Sequence, residues 1–356
     1  MKVLHVSNFG NRHNGRLFWN HCFKISNGFT RNGHNVYNFS DRDESRSSVI
    51  NKFSNNKKVQ KSLIDINKNY NPDLIILGHA DRIHNETLEM IRRSNKDVKI
   101  MEWSVDNYLL DNTENKLTSR SSFVDGFFIT TADEKISSCI NNNFISFFPN
   151  IVDKSIERLE IYNLGQHSHD VFFALSHGVG TGMLRKKNTV LEGKNPRVKI
   201  LDYLTNKKKD IKYKFYGYRG IQPVWAHEFE RKIQNCYMGL CIQRKPQLKY
   251  CLSDRVSQYA GNGLMIFIDN DTHYHEFLKR DEEAIYYENE AELLEKIVFF
   301  KKNKIQALKI ASNGHKKLHQ YCNEKVVTKY FIDCLNHANH KFLSEKYNWP
   351  IHIFRS

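Results

Sequence analysis

An α/β protein built from two successive parallel-sheet domains is what this 356-residue sequence predicts. Three observations carry that expectation. The chain opens as strand, glycine-bearing loop, helix, strand, which is the repeating unit of a parallel sheet. The same order restarts near Asp170, after an exit turn around Asp153. The length also exceeds one typical domain and suits two.

The elements follow in order. Val3 to Val6 is apolar and β-prone, and SNFGNRHNG after it is a polar loop. Leu17, Phe18, Cys22, Ile25 and Phe29 recur at helical spacing, Gly33-His34 ends that helix, and Val36 to Phe39 begins a strand. Residues 59 to 70 read as a helix stopped by Pro72, and LIILG (74 to 78) as a buried strand. A helix over 86 to 94 leads to strands at 98 to 103, 123 to 129 and 145 to 153. In the second half, DVFFALS (170 to 176) is a strand followed by the loop HGVGTG. A helix (197 to 206), a strand (211 to 217), a helix (226 to 235) and a strand (238 to 243) come next. CLSDRVSQYAGNGLMIFID (251 to 269) reads as helix then strand, closed by Gly-Asn-Gly, and 290 to 338 is mostly helical. The domains are therefore expected at 1–155 and 165–320, with 321–356 returning toward the first.

Composition narrows the function. No run approaches the ~18 apolar residues of a membrane span, and the N-terminus reads as a strand, not a signal peptide. Lys plus Arg exceed Asp plus Glu by 54 to 39, a net charge of +15, which attracts anions such as nucleotide phosphates or an anionic membrane leaflet. A nucleic-acid binder would interleave basic and aromatic residues along one face. Here the basic residues gather at strand ends and in the runs 57–61, 207–209 and 301–304, so no nucleic-acid partner is expected. Seven cysteines, odd in number and without a C-x-x-C pair, fit buried thiols in a reducing cytoplasm. His273 and His275 flank a tyrosine in no common ligand spacing, so no metal is expected.

Ligands of open parallel sheets sit beyond the carboxyl ends of the strands, and the candidate residues lie in those loops. Gly15 and Arg16 follow the first strand, ahead of a helix whose N-terminus favours anions. Ser176, His177 and Gly178, with Arg185 after them, form a second glycine-bearing loop suited to close approach by phosphate or sugar. Arg244, Lys245 and Arg255 concentrate positive charge after the strand at 238 to 243, and Ser253 or Asp254 is placed to cap the helix there. An arginine in a helix's first turn opposes the dipole unless an anion, Asp254 or a bound diphosphate, accompanies it. In the first half, His79 and Asp106 each follow a strand, and either could serve as a general base.

The pattern resembles a glycosyltransferase of the GT-B fold, of the bacterial envelope-polysaccharide type. The opening strand, glycine loop, helix and Gly-His-x-Val turn are similar to the usual start. DGFFITT…FISFFPNIVD resembles the end of the N-terminal domain, and SDRVSQYAGNGLMIFID with the helices after it resembles the end of the donor domain. The match runs in order along nearly the whole chain. It implies two Rossmann-like domains facing a cleft. It also implies Ser253, Asp254 and Arg255 beside a nucleotide-sugar diphosphate, and Gln258 where many relatives have a glutamate for the ribose hydroxyls. A second glutamate common in relatives falls on Tyr250 here.

The expected function is metal-independent transfer of a sugar to a glycan or lipid-linked acceptor at the inner membrane face. Donor contacts come from the residues above, with Gly15 among them, and acceptor contacts from Arg16 and Trp103. Asp106 or His79 is the base if the anomeric centre inverts; a retaining reaction requires none. The alternative is a catalytically silent module of the same fold that binds a glycan or a partner.

Overall fold

The computed structural model describes residues 1–47, 56–109, 113–140, 144–176, 195–244, 247–336 and 339–355. The chain forms two compact units, Met1–Ile151 with Cys322–Ser356, and Val152–Tyr321. The elements of the first half are β1 (Lys2–Ser7), α1 (His21–Arg31), β2 (Asn35–Ser40), α2 (Asp41–Ser45), α3 (Lys57–Tyr70), β3 (Leu74–Gly78), α4 (Asn85–Ser94), β4 (Lys99–Ser104), α5 (Thr113–Ser121), β5 (Gly126–Ile129) and β6 (Phe144–Phe147). Those of the second are β7 (Val171–Ala174), α6 (Pro196–Lys207), β8 (Tyr213–Tyr216), α7 (Ala226–Ile233), β9 (Met238–Cys241), α8 (Arg255–Ala260), β10 (Met265–Asp269), β11 (Ile285–Tyr287), α9 (Glu290–Lys302) and α10 (Lys304–Tyr321). The chain closes with α11 (Glu324–Asn336), α12 (His340–Lys346) and β12 (Ile353–Arg355).

The first unit holds a seven-stranded sheet in the order β12-β6-β5-β4-β3-β1-β2, parallel except for β12, which runs antiparallel to β6. Every residue of β3 is buried, as expected of a strand with both faces covered. Val59, Leu63 and Asn67 form the inward stripe of α3, which ends where Asn71 turns left-handed before Pro72. The helix expected from Leu17 starts only at His21. Asn14 and Gly15 take positive φ, and the chain runs through tight turns to Asn20, which is extended (ψ 153°). The last helices complete this unit. Glu324 of α11 pairs with Arg31 of α1 at 2.6 Å, and Phe331 stacks on Phe128 with ring centroids 4.0 Å apart. Full burial of a phenylalanine of this kind is worth about 1.5–3 kcal/mol.

The second unit holds a five-stranded, wholly parallel sheet in the order β11-β10-β9-β7-β8. Phe173, Phe215, Leu240, Phe267 and Ile297 form part of its core. The Gly-Asn-Gly segment has a definite task here. The Gly263 N–H bonds Ala260 O and the Leu264 N–H bonds Tyr259 O, both at 3.0 Å, a Schellman closure with Gly263 at φ +88°. Asn262 between the glycines accepts the Leu159 N–H through its side chain and the Ile161 N–H through its carbonyl. One turn thus ends the helix and also pins the segment entering the unit. All seven cysteines are free and buried. Among the described residues no helix is long and apolar enough to cross a membrane.

The second unit carries an acid sensitivity. Burial and the neighbouring His319 push His315 down to about 4, and burial also lowers His167, His169 and His275. A histidine with a depressed folded pKa keeps its full stability above its unfolded pKa of ~6.5 and loses it as pH falls toward the folded value. His315 alone is therefore expected to cost about 2 kcal/mol between pH 7 and pH 5. Urea unfolding at the two pH values checks this, with His315→Gln losing less than wild type; equal losses in both proteins would refute it.

Candidate active site

Open parallel sheets bind ligands beyond the strands' carboxyl ends, at the point where the order of strand addition reverses. That point lies between β7 and β9 in the second unit and between β1 and β3 in the first.

At the second unit's reversal, α8 holds the end of β7. The last residue of the strand, Ala174, gives its N–H to the Tyr259 hydroxyl (3.1 Å), and its carbonyl accepts from Arg255 Nε (3.2 Å) and Nη2 (2.9 Å). Residues four apart share a helix face, so Arg255 and Tyr259 clamp one peptide from both sides. Arg255 Nη1 donates to Ser253 Oγ at 3.0 Å, and the guanidinium lies 4.8 Å over the Phe173 ring. The expected side-chain cap is not made: the Asp254 side chain accepts no capping bond, and Ser253 faces Arg255 instead. Gln243 ties the loop after β9 to this corner, its Oε1 accepting the Ser253 N–H at 3.1 Å. Gln258 is half-buried, and its side-chain amide has no partner among the described residues.

A residue that sequence reasoning missed completes the group. Arg197, near the start of α6, is 8% exposed, and its Nε donates to Asn195 Oδ1 at 3.1 Å. Burial, with Arg255 and Arg244 nearby, pushes its guanidinium down to about 9. Among the described residues no carboxylate pairs with Arg197 or Arg255. Clustered arginines without an acid leave positive charge that a bound anion would neutralise. Arg244 is exposed three residues beyond β9, and Ser176 is exposed two beyond β7. His177, Gly178, Arg185 and Lys245 lie outside the described residues.

In the first unit the two base candidates come together. His79 Nδ1 lies 3.4 Å from Asp106 Oδ2, with both side chains about one-third exposed, at 32% and 40%. His79 is left-handed (φ +49°) immediately after β3, which turns its ring edge-on to Trp103. Trp103 itself corrects an expectation. It was placed with the acceptor-binding residues, yet it is 2% exposed and its indole runs beneath Gly78, where a Cβ would stand only 2.0 Å from the ring. Its Nε1–H donates to Nε2 of His5 at 3.1 Å; burial pushes His5 down to about 3, and His5 passes its own N–H to Ser26. Trp103 therefore supports His79 from below. Burial pushes the Glu102 carboxyl on β4 up, against the pull of Arg120 and His79. A polar pocket of about 520 Å³ opens nearby, lined by residues that include His84, Glu86 and Arg120. Gly15 and Arg16 are exposed and stand five to six residues ahead of α1, so the first loop does not deliver them to a helix N-terminus.

Residues 197–331 match the family described as "Glycosyl transferase-like". No curated protein sequence matches the chain. Several solved structures are similar to it over nearly their whole length. The HepE protein of Anabaena, solved with UDP and glucose, is 10% identical with a TM-score of 0.57, over 94% of this chain and 99% of that one. A sucrose-phosphate synthase from Thermosynechococcus elongatus is 9% identical with a TM-score of 0.58, over 95% and 99%. A glycosyltransferase from Rickettsia africae is 11% identical with a TM-score of 0.56, over 93% and 97%. The fold is GT-B. The fold class read from the sequence stands, with two Rossmann-like units of seven and five strands.

Within this GT-B frame, Tyr250 does not take over the work of the missing glutamate by itself. It is fully buried, and its hydroxyl donates to the Glu276 carboxylate. Lysines 57, 58 and 61 are exposed on α3, and Lys58 is paired with Glu44 at 3.3 Å.

Proposed function

We propose that this chain is a glycosyltransferase that takes a sugar from a nucleotide-diphosphate donor. The observation that carries the reading is the convergence of Arg197, Arg244 and Arg255 at the β7/β9 reversal, two of them without a carboxylate partner among the described residues. A sugar nucleotide presents a diphosphate there, and the arginines offset the charge that builds on the leaving group, so that no metal ion is needed for it. Gln258 offers both a donor and an acceptor to hydroxyls. Support also comes from the HepE structures, since that protein was solved with UDP and with UDP-glucose.

His79 is the base in this proposal, and Asp106 holds its Nδ1 side. The Nε2 nitrogen is left to take the proton of an acceptor hydroxyl. The hydroxyl oxygen bonds to the anomeric carbon while the bond to the diphosphate breaks, and the nucleotide leaves with that electron pair. The product is inverted. The acceptor is a glycan, or a lipid-linked glycan of envelope polysaccharide synthesis, and recovery of labelled product in the aqueous or the lipid extract distinguishes the two.

A thermal-shift screen tests the donor reading. One of the UDP, GDP, CMP or dTDP sugars should raise the melting temperature, by about 2.7 kcal/mol of stabilisation at a hundred times its Kd. The shift should shrink as salt rises. A flat response to all four refutes the reading, and binding without turnover would select the silent-module alternative.

A further inference from the structure

The loop after β10 brings together two histidines and a glutamate that the transfer reaction does not use. One imidazole nitrogen each from His273 and His275 and one carboxylate oxygen from Glu276 lie within 4.8 Å of one another. His273 Nδ1 stands 3.8 Å from Glu276 Oε1. The backbone presets this grouping. His273 takes φ +54° between two short 3-10 turns, which reverses the chain. Tyr274 between the histidines is 1% exposed and packs edge-on against Tyr250, so the segment is anchored at its centre while the flanking rings stay outside the core.

The supports of these side chains match what a metal site requires. The second oxygen of Glu276 is already engaged, by the Tyr250 hydroxyl and by Lys249 Nζ at 3.1 Å, which leaves Oε1 directed at His273. Outer partners of this kind fix a ligating carboxylate in place. His275 Nδ1 is buried without a hydrogen-bond partner among the described residues, an orphaned nitrogen of the kind a metal ion satisfies. Two imidazoles and a carboxylate are a known zinc donor set, with a water in the fourth position and ligand bonds of about 2.0–2.2 Å. Tetrahedral geometry at those lengths puts ligand atoms about 3.3–3.6 Å apart. The 3.8 Å pair needs only a small closure, and the remaining adjustment falls to His273, whose side chain is 56% exposed.

We propose that His273, His275 and Glu276 bind one divalent metal ion of the zinc class, which clamps the loop after β10. None of these three side chains is a contact in the donor reading, so that reading stands or falls separately.

The test uses untagged full-length protein stripped with EDTA. Zinc titrated calorimetrically should saturate at one ion per chain and raise the melting temperature, and cobalt(II) should develop the visible absorption of a four-coordinate site. His273→Ala and His275→Ala should each weaken binding at least tenfold. Tyr250→Phe, which removes only the support of Glu276, should weaken it about tenfold. Melting curves confirm that each variant is folded, and His273→Ala decides alone if His275→Ala is not. Absence of saturable binding in wild type overturns the proposal. So does unchanged binding in His273→Ala, which would assign the ion to other side chains such as the cysteines.

Discussion

Arg255→Ala is expected to lose about 10- to 100-fold in kcat/KM and to melt several degrees below wild type. The first loss follows from removing a charge-assisted bond to the donor diphosphate, worth about 1.5–3 kcal/mol. The second follows from the structure. Arg255 sends two N–H groups to the Ala174 carbonyl and covers the Phe173 ring, so its truncation leaves a strand-end carbonyl without its partner. At about 1–2 kcal/mol, and 2–4 °C per kcal/mol for a unit of this size, the melting temperature drops by roughly 2–8 °C. Arg255→Lys separates the two effects. It retains the charge but not the two-pronged grip, so stability should stay low while donor affinity partly returns. The assays are run with EDTA present, which tests metal independence at the same time. A folded Arg255→Ala protein with wild-type turnover refutes the phosphate assignment, and wild-type turnover abolished by EDTA and restored by magnesium or manganese, but not by zinc, refutes metal independence.

His79→Gln is expected to lower kcat by about 10²–10⁴ with little change in stability, the usual contribution of a positioned base. The side chain is one-third exposed, and its described partners are Asp106 and the edge of Trp103, so truncation leaves no buried cavity. Asp106→Asn should give a smaller loss, because an amide still reaches Nδ1 but no longer favours the protonated ring. A mild loss in His79→Gln removes His79 as the base. A product of retained anomeric configuration would do the same, since retention needs no separate base.

Much of this was legible because the signals are local. LIILG is a strand in the structure as in the sequence, since four consecutive apolar residues before a glycine suit a strand covered on both faces. Gly-Asn-Gly after a helical stretch stated a helix end, because few residues other than glycine accept the left-handed turn found at Gly263. The first helix was extended too early: the spacing of Leu17 and Phe18 with Cys22 is helical, but Asn14 and Gly15 divert the backbone before it. The three-residue strand β12 was missed because so short a segment has no period to read and forms only by pairing with β6.

Taken alone, the sequence determined the order of strands and helices, the restart that makes two sheets, and the basic character of the loop around Arg244 and Arg255. Those features depend on neighbours a few residues apart. Only the tertiary structure decided which distant residues meet. His79 and Asp106 were separate candidates until parallel pairing of β3 with β4 set the two strand ends side by side. Trp103 was expected among the acceptor contacts, and the space above Gly78 draws its ring inward. Arg197 read as one more helical arginine, and its burial next to Arg255 and Arg244 arises from packing across the sheet end. Proximity of this kind depends on strand register and on side-chain direction, which periodicity along the chain does not encode.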